Sequence, residues 1–125
     1  MRVLVVEPRM PPFEREIDGT LASMQEIVGG MIQAIYPFDD STALICNDEG
    51  KLLGLPKNRA VYTDDAEVKD IICGTFFLCD APQNSEDFAS ITEYQLQRFK
   101  RYFASPERFY QHSGHLVIVR ERAEC

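Results

Sequence analysis

Apolar and polar positions fall into short runs along the chain, and each run predicts an element. Residues 2–7 carry the β-branched stretch Val3-Leu4-Val5-Val6, which predicts a buried strand. Pro8 and Pro11-Pro12 turn the chain. Phe13-Glu14-Arg15-Glu16-Ile17 then alternates apolar with charged residues, the period of a half-exposed strand. Together these predict a hairpin with a longer loop. Asp18-Gly19 breaks it, and Thr20 is a good N-cap because its hydroxyl accepts a bond from an orphan helical N–H. Leu21, Met24, Ile27 and Val28 follow at helical spacing, and Gly29-Gly30 ends the run, so a helix is expected over 20–28.

Three further strands are expected at Met31–Tyr36, Thr42–Cys46 and Lys51–Leu55, with Asn47-Asp48-Glu49-Gly50 as the hairpin turn between the last two. Pro56-Lys57-Asn58-Arg59 reads as a loop, Ala60-Val61-Tyr62 as a short apolar piece, and Thr63–Asp70 as an exposed acidic stretch. Ile71–Cys79 is the most hydrophobic run and predicts one central strand, with Gly74 marking a bulge or a close backbone approach. After a loop over Asp80–Asp87, Ser90-Ile91-Thr92-Glu93 has the form of a capping box. The helix expected over 91–104 places Leu96, Phe99 and Phe103 on one stripe and ends at Ser105-Pro106. Pro106–Tyr110 suggests a short helical turn, and Leu116–Val119 a last strand. The order of elements predicts a single α+β domain over 1–125, with a mainly antiparallel sheet and two principal helices. The opening hairpin followed by a helix suggests a β-grasp-like arrangement.

At 125 residues the chain suits one domain that holds a core without metal or disulfide support. No apolar run approaches the ~20 residues that span a bilayer, and the start is apolar too briefly for a signal peptide, so a soluble cytoplasmic protein is expected. Cys46, Cys73, Cys79 and Cys125 form no C-x-x-C; they read as small buried hydrophobes in a reducing compartment, with Cys125 an exposed terminal thiol. His112 and His115 flank Ser113-Gly114, a turn signal, and lack further ligands nearby. No cofactor is expected.

Charge changes the picture once it is resolved along the chain. Residues 1–95 hold 7 Lys and Arg against 17 Asp and Glu, a net of −10, and residues 96–125 hold 6 against 3, a net of +3. The acidic part clusters carboxylates at Asp39-Asp40 and at Asp64-Asp65, where they could form a solvated face or mimic nucleic-acid phosphates toward a partner. The second helix carries Arg98 and Arg101 among aromatic residues, a pattern suited to a stacked nucleotide as well as to a helix end. In the segment Lys57-Asn58-Arg59, two cations and an amide follow a proline, a grouping that could clasp a phosphate or carboxylate or pair internally. No nucleophile elbow, phosphate-binding loop, paired-histidine zinc motif or dinucleotide fingerprint occurs in the sequence, so no enzymatic activity is expected.

The stretches Val3–Pro8, Arg15–Gly19, Met24–Asp40, Asn47–Ala60 and Asp70–Leu78, above all Ile27-Val28-Gly29-Gly30 and Gly54-Leu55-Pro56-Lys57-Asn58-Arg59, resemble a family of small bacterial, phage and plasmid domains of unknown function. The resemblance covers most of residues 1–103 and implies an origin in mobile elements. By analogy it suggests a non-enzymatic binding protein that inhibits a host defence effector, anti-CRISPR-like or anti-restriction-like, through an acidic surface. The alternative is a binder that sequesters a nucleotide or phosphorylated signal. A host defence protein is thus the expected partner, with a nucleotide as alternative ligand, no membrane, and a homodimer through unpaired strand edges.

Overall fold

A computed structural model describes residues 1–121, in the order β1 (Arg2–Val6), β2 (Phe13–Glu16), α1 (Leu21–Val28), β3 (Ile32–Ile35), β4 (Thr42–Asn47), β5 (Lys57–Tyr62), β6 (Val68–Cys73), β7 (Phe76–Asp80), α2 (Glu93–Tyr102), β8 (Glu107–His112) and β9 (His115–Arg120). The fold is α+β. Its main sheet has the order β2-β1-β7-β4-β3 with every pairing antiparallel, and β5-β6 and β8-β9 form two-stranded ribbons. The opening hairpin and the helix after it stand where the hydrophobic pattern places them.

Strands β1, β4 and β7 are buried on both faces, which is why they read as continuous apolar runs. Side-chain alternation sends Val3, Val5, Ala43, Ile45, Phe77 and Cys79 to one face, where Met24, Ile27 and Val28 of α1 cover them. Leu4, Val6, Leu44, Phe76 and Leu78 face the other way, against Leu96, Phe99 and Phe103 of the α2 region and Val61 and Ile72 of the β5-β6 ribbon. The expected aromatic stripe of the second helix is therefore core. Thr20 caps α1 by accepting the Ser23 N–H at 3.1 Å, and Gly29 ends it at φ 78°.

Five expectations are corrected. Residues 51–55 are not a strand: Leu53 N–H donates to the Glu49 carbonyl and Leu55 N–H to that of Gly50, winding the segment into turns that leave Leu52 85% exposed. Ile71–Cys79 is not one strand either. Gly74, at φ 84°, takes a conformation that a side chain would strain, and a Cβ there would meet Leu55 Cδ1 at 2.8 Å. The chain swings at this point from the β5-β6 ribbon into the main sheet, and Val68–Asp70 of the acidic stretch are strand. The capping box uses Thr92 and Gln95, which bond reciprocally at 2.9 and 3.2 Å, while Ser90 Oγ accepts the Arg2 N–H instead. Finally, Pro106–Tyr110 contains no helical turn but opens β8, closed onto β9 through Ser113 and Gly114, both at positive φ, the signature of a tight hairpin turn. Cys46, Cys73 and Cys79 are buried free thiols; Cys125 lies outside the described residues.

Candidate functional site

The segment between β3 and β4 carries Tyr36, Phe38, Asp39 and Asp40 toward α2. Phe38 packs on Phe99 with ring centroids 4.4 Å apart and on Tyr102 at 5.4 Å, which fixes the segment on the helix. Above this aromatic cluster, Arg98 Nη1 donates to Asp39 Oδ1 at 2.9 Å and to Asp40 Oδ2 at 2.8 Å. Its guanidinium lies over the rings of Phe99 and Phe38, at 5.0 and 5.8 Å from their centroids. Partial burial works against the charge of Arg98, but the two carboxylates outweigh it and raise its pKa. The acidic and basic clusters that the sequence offers as separate surfaces are thus one network at this point. The two carboxylates are not equivalent. Asp40 is 24% exposed and also accepts the Thr42 N–H, whereas Asp39 is 86% exposed.

The β5-β6 hairpin supplies the opposite wall. Tyr62 N–H donates to the Tyr102 hydroxyl at 2.9 Å, and the Tyr62 hydroxyl donates to buried Glu107 at 2.6 Å, so the base of the hairpin is pinned to α2 and β8. Burial, reinforced by the Glu107 carboxylate, pushes the Tyr62 phenol up to about 12. Thr63 and Glu67 close the turn by backbone bonds, Ala66 takes φ 61°, and Asp64 and Asp65 stand exposed on it. Lys69 Nζ donates to the Pro37 carbonyl at 3.2 Å, tying the two walls together. The result is a cleft of about 400 Å³ lined by Tyr36, Asp39, Tyr62, Asp64, Arg98 and Tyr102. The charged residues that line it balance, Asp39 and Asp64 against Lys69 and Arg98, while Asp40, Asp65 and Glu67 add carboxylates on the flanking turns. Arg101, exposed on α2, opens onto an adjoining cleft that shares Tyr62, Asp64 and Tyr102.

Lys57, Asn58 and Arg59 do not form a surface clasp. They begin β5, and only Lys57 is exposed; Asn58 is fully buried and Arg59 is 1% exposed. Asn58 Nδ2 donates to the carbonyls of Val6 and Gly74 at 2.8 and 2.9 Å. Arg59 donates to Asn58 Oδ1 at 2.8 Å, to the Met10 carbonyl at 2.6 Å and to the Phe103 carbonyl at 3.1 Å. The pair therefore staples the β5-β6 ribbon to the end of β1 in the main sheet, to the loop after β1 and to the C-terminal end of α2, where a cation also complements the helix dipole. Burial lowers the Arg59 pKa, with Glu107 opposing it through space. Burial also raises the Cys46 thiol to about 11 and the Cys79 thiol to about 12, which makes both poor nucleophiles at neutral pH. His112 and His115 face each other across the hairpin end, and among the described residues no three His, Cys, Asp or Glu side chains gather as a metal site would require. Among the described residues no helix is long and apolar enough to cross a membrane.

Sequence reasoning missed Tyr36, Tyr62 and Lys69 as cleft residues. The signal available was the aromatic or basic residue beside each acidic turn, but nothing in one dimension shows that the turns at 37–41 and 63–67 meet. No curated protein and no solved structure matches the chain. A family model matches residues 1–104, which include every residue that lines the acidic cleft, and the chain belongs to that family, the domain of unknown function DUF3846.

Proposed function

We propose that the protein is a non-enzymatic binding protein that engages a cationic protein surface through the acidic cleft between α2 and the β5-β6 turn. The observation that carries this reading is the convergence of Asp39 and Asp64, from turns remote in sequence, on one cleft walled by Tyr36, Tyr62 and Tyr102. An arginine or lysine of a partner placed there finds carboxylates on two sides and aromatic faces around its stem. Asp39 and Asp64 are exposed enough to meet it without a large desolvation cost. Proteins that cut or carry nucleic acid present cationic grooves of this kind, because they must neutralise phosphates. The resemblance to phage and plasmid domains supplies the setting, and the proposed partner is a host defence effector of that class, held in the cytoplasm and inhibited by occlusion of its groove.

The test is inhibition of nucleic-acid-cutting defence effectors, with Asp39→Asn combined with Asp64→Asn as the neutralised variant. The native protein is expected to form a complex and slow cleavage, the complex weakening as salt rises. The neutralised variant is expected to fold and to lose inhibition. Inhibition that survives neutralisation, or no complex with any effector of the panel, rejects the reading. The alternative ligand class, a nucleotide or phosphorylated signal, does not fit the Lys57-Asn58-Arg59 segment as a unit, because two of its three side chains are inside.

A further inference from the structure

A second cleft, of about 550 Å³, lies where the loop after β1 and the start of β5 meet β8, and it is lined by Pro8, Arg9, Pro56, Lys57, Arg108, Phe109 and Tyr110, with Glu107 at its floor. Its size falls within the ~300–1,000 Å³ typical of small-molecule sites. Its lining is net positive, Arg9, Lys57 and Arg108 against Glu107, in contrast to the acidic turns that flank the first cleft. Arg9 and Lys57 are exposed and make no ion pair among the described residues. Arg108 pairs with Glu121, and Glu107 is committed to the Ala60 N–H, the Tyr62 hydroxyl and Arg120. The buried guanidinium of Arg59, bonded to carbonyl and amide oxygens rather than to a carboxylate, adds a further positive charge inside.

The backbone of the cleft is also unusual. Arg9 sits in the left-handed region at φ 66°, a conformation that costs free energy in a non-glycine residue and persists only where its surroundings impose it. They do: Met10 N–H donates to the Glu7 carbonyl at 3.2 Å, and the Met10 carbonyl accepts from Arg59 Nη2 at 2.6 Å. Arg59 is thus a positioning residue that holds the Arg9 turn from within. Prolines at 8 and 56 stiffen both strand ends.

We propose that this cleft binds a nucleotide-class small molecule, its phosphoryl group between Arg9 and Lys57 and its base against Tyr110, which shares the Arg108 face of β8. Two exposed cations with no ion pair among the described residues suit a doubly charged phosphoryl oxygen cluster, and exposed Tyr110 offers a ring face for a planar base. The site shares no lining residue with the acidic cleft and needs β8, which lies beyond the residues matched by the family model.

The test is isothermal titration of the full chain with AMP, ATP, adenosine and inorganic phosphate. Saturable binding of AMP or ATP is expected, with adenosine and phosphate each weaker by about tenfold or more, since each lacks half of the contacts. Lys57→Gln and Arg9→Gln, both surface changes, are each expected to weaken nucleotide binding by about tenfold while leaving the melting temperature unchanged. Tyr110→Ala is expected to weaken nucleotide but not phosphate. No saturable heat with AMP or ATP, or nucleotide affinity unchanged in the folded Arg9→Gln/Lys57→Gln double variant, overturns the proposal. Phosphate binding as tightly as AMP overturns the assignment of the base to Tyr110.

Discussion

One arginine lines the first cleft and another holds the loop that lines the second, and the two do opposite work. Arg98 lies at the surface between two carboxylates, its plane on a pair of aromatic rings. Arg59 lies inside, bonded to main-chain carbonyls and one amide, and joins three parts of the fold. A surface pair contributes little to stability and much to the pattern of charge a partner meets. A buried guanidinium makes no contact with a partner; it fixes the backbone on which recognition rests and acts on the cleft only through its charge. The acidic cleft is therefore adjustable by substitution, whereas the cationic cleft stands on a structural element that tolerates little change.

The strongest way to break this contrast is Arg59→Ala. It leaves the buried Phe103 carbonyl and Asn58 Oδ1 and the part-buried Met10 carbonyl without their donor and is expected to cost about 3–5 kcal/mol, measured by urea unfolding. A cost under ~1 kcal/mol would place Arg59 in the same class as Arg98. Alkaline titration is the next perturbation. Cys46, Cys79 and Tyr62 have folded-state values raised to about 11, 12 and 12 from ordinary values of 9.0, 9.0 and 10.0. Their contribution is thus fully present below pH 9 and is lost as the pH rises through 9 to 12. Denaturation midpoints measured across that window are expected to fall steadily, and a flat profile would contradict the burial of these groups.

Glu107→Gln is expected to cost about 1–3 kcal/mol, because the buried carboxylate accepts from the Ala60 N–H at 2.7 Å and from the Tyr62 hydroxyl. It also sharpens the comparison, since Glu107 braces both clefts, and it should lower the Tyr62 pKa by removing the neighbouring charge. The smallest effect belongs to Arg98→Gln, at about 1 kcal/mol or less in the same unfolding assay. That variant should leave Asp39 and Asp40 unpaired and strengthen attraction of a cationic partner, a gain visible at low salt and absent at high salt.

Elements set by local rules were legible in the sequence: the Thr20 cap, the Gly29 stop, the β1-β2 hairpin and the Leu96-Phe99-Phe103 stripe. Those decided by distant partners were not. Leu52 and Leu53 look like strand residues, yet Gly50 sits against the Cys73 carbonyl and the segment winds instead. The 71–79 run looks continuous because both of its halves are buried, although they belong to different sheets. Pro106–Tyr110 suggests a short helical turn from its residues alone, but Glu107 reaches across to the Ala60 N–H and so commits the segment to a strand. The candidate residues showed the same division. Their charge was visible, but burial was not, and burial is what separates Lys57 from Asn58 and Arg59.

The separation of two oppositely charged binding surfaces on one small domain is tested most directly by the backbone amide NMR spectrum of the full chain, titrated in turn with an arginine-rich peptide and with AMP. The peptide is expected to shift amides around Asp39, Tyr62 and Asp64 and to spare those of Arg9, Lys57 and Tyr110, with AMP producing the reverse pattern. Both ligands moving the same set of amides, or neither moving any, would contradict it.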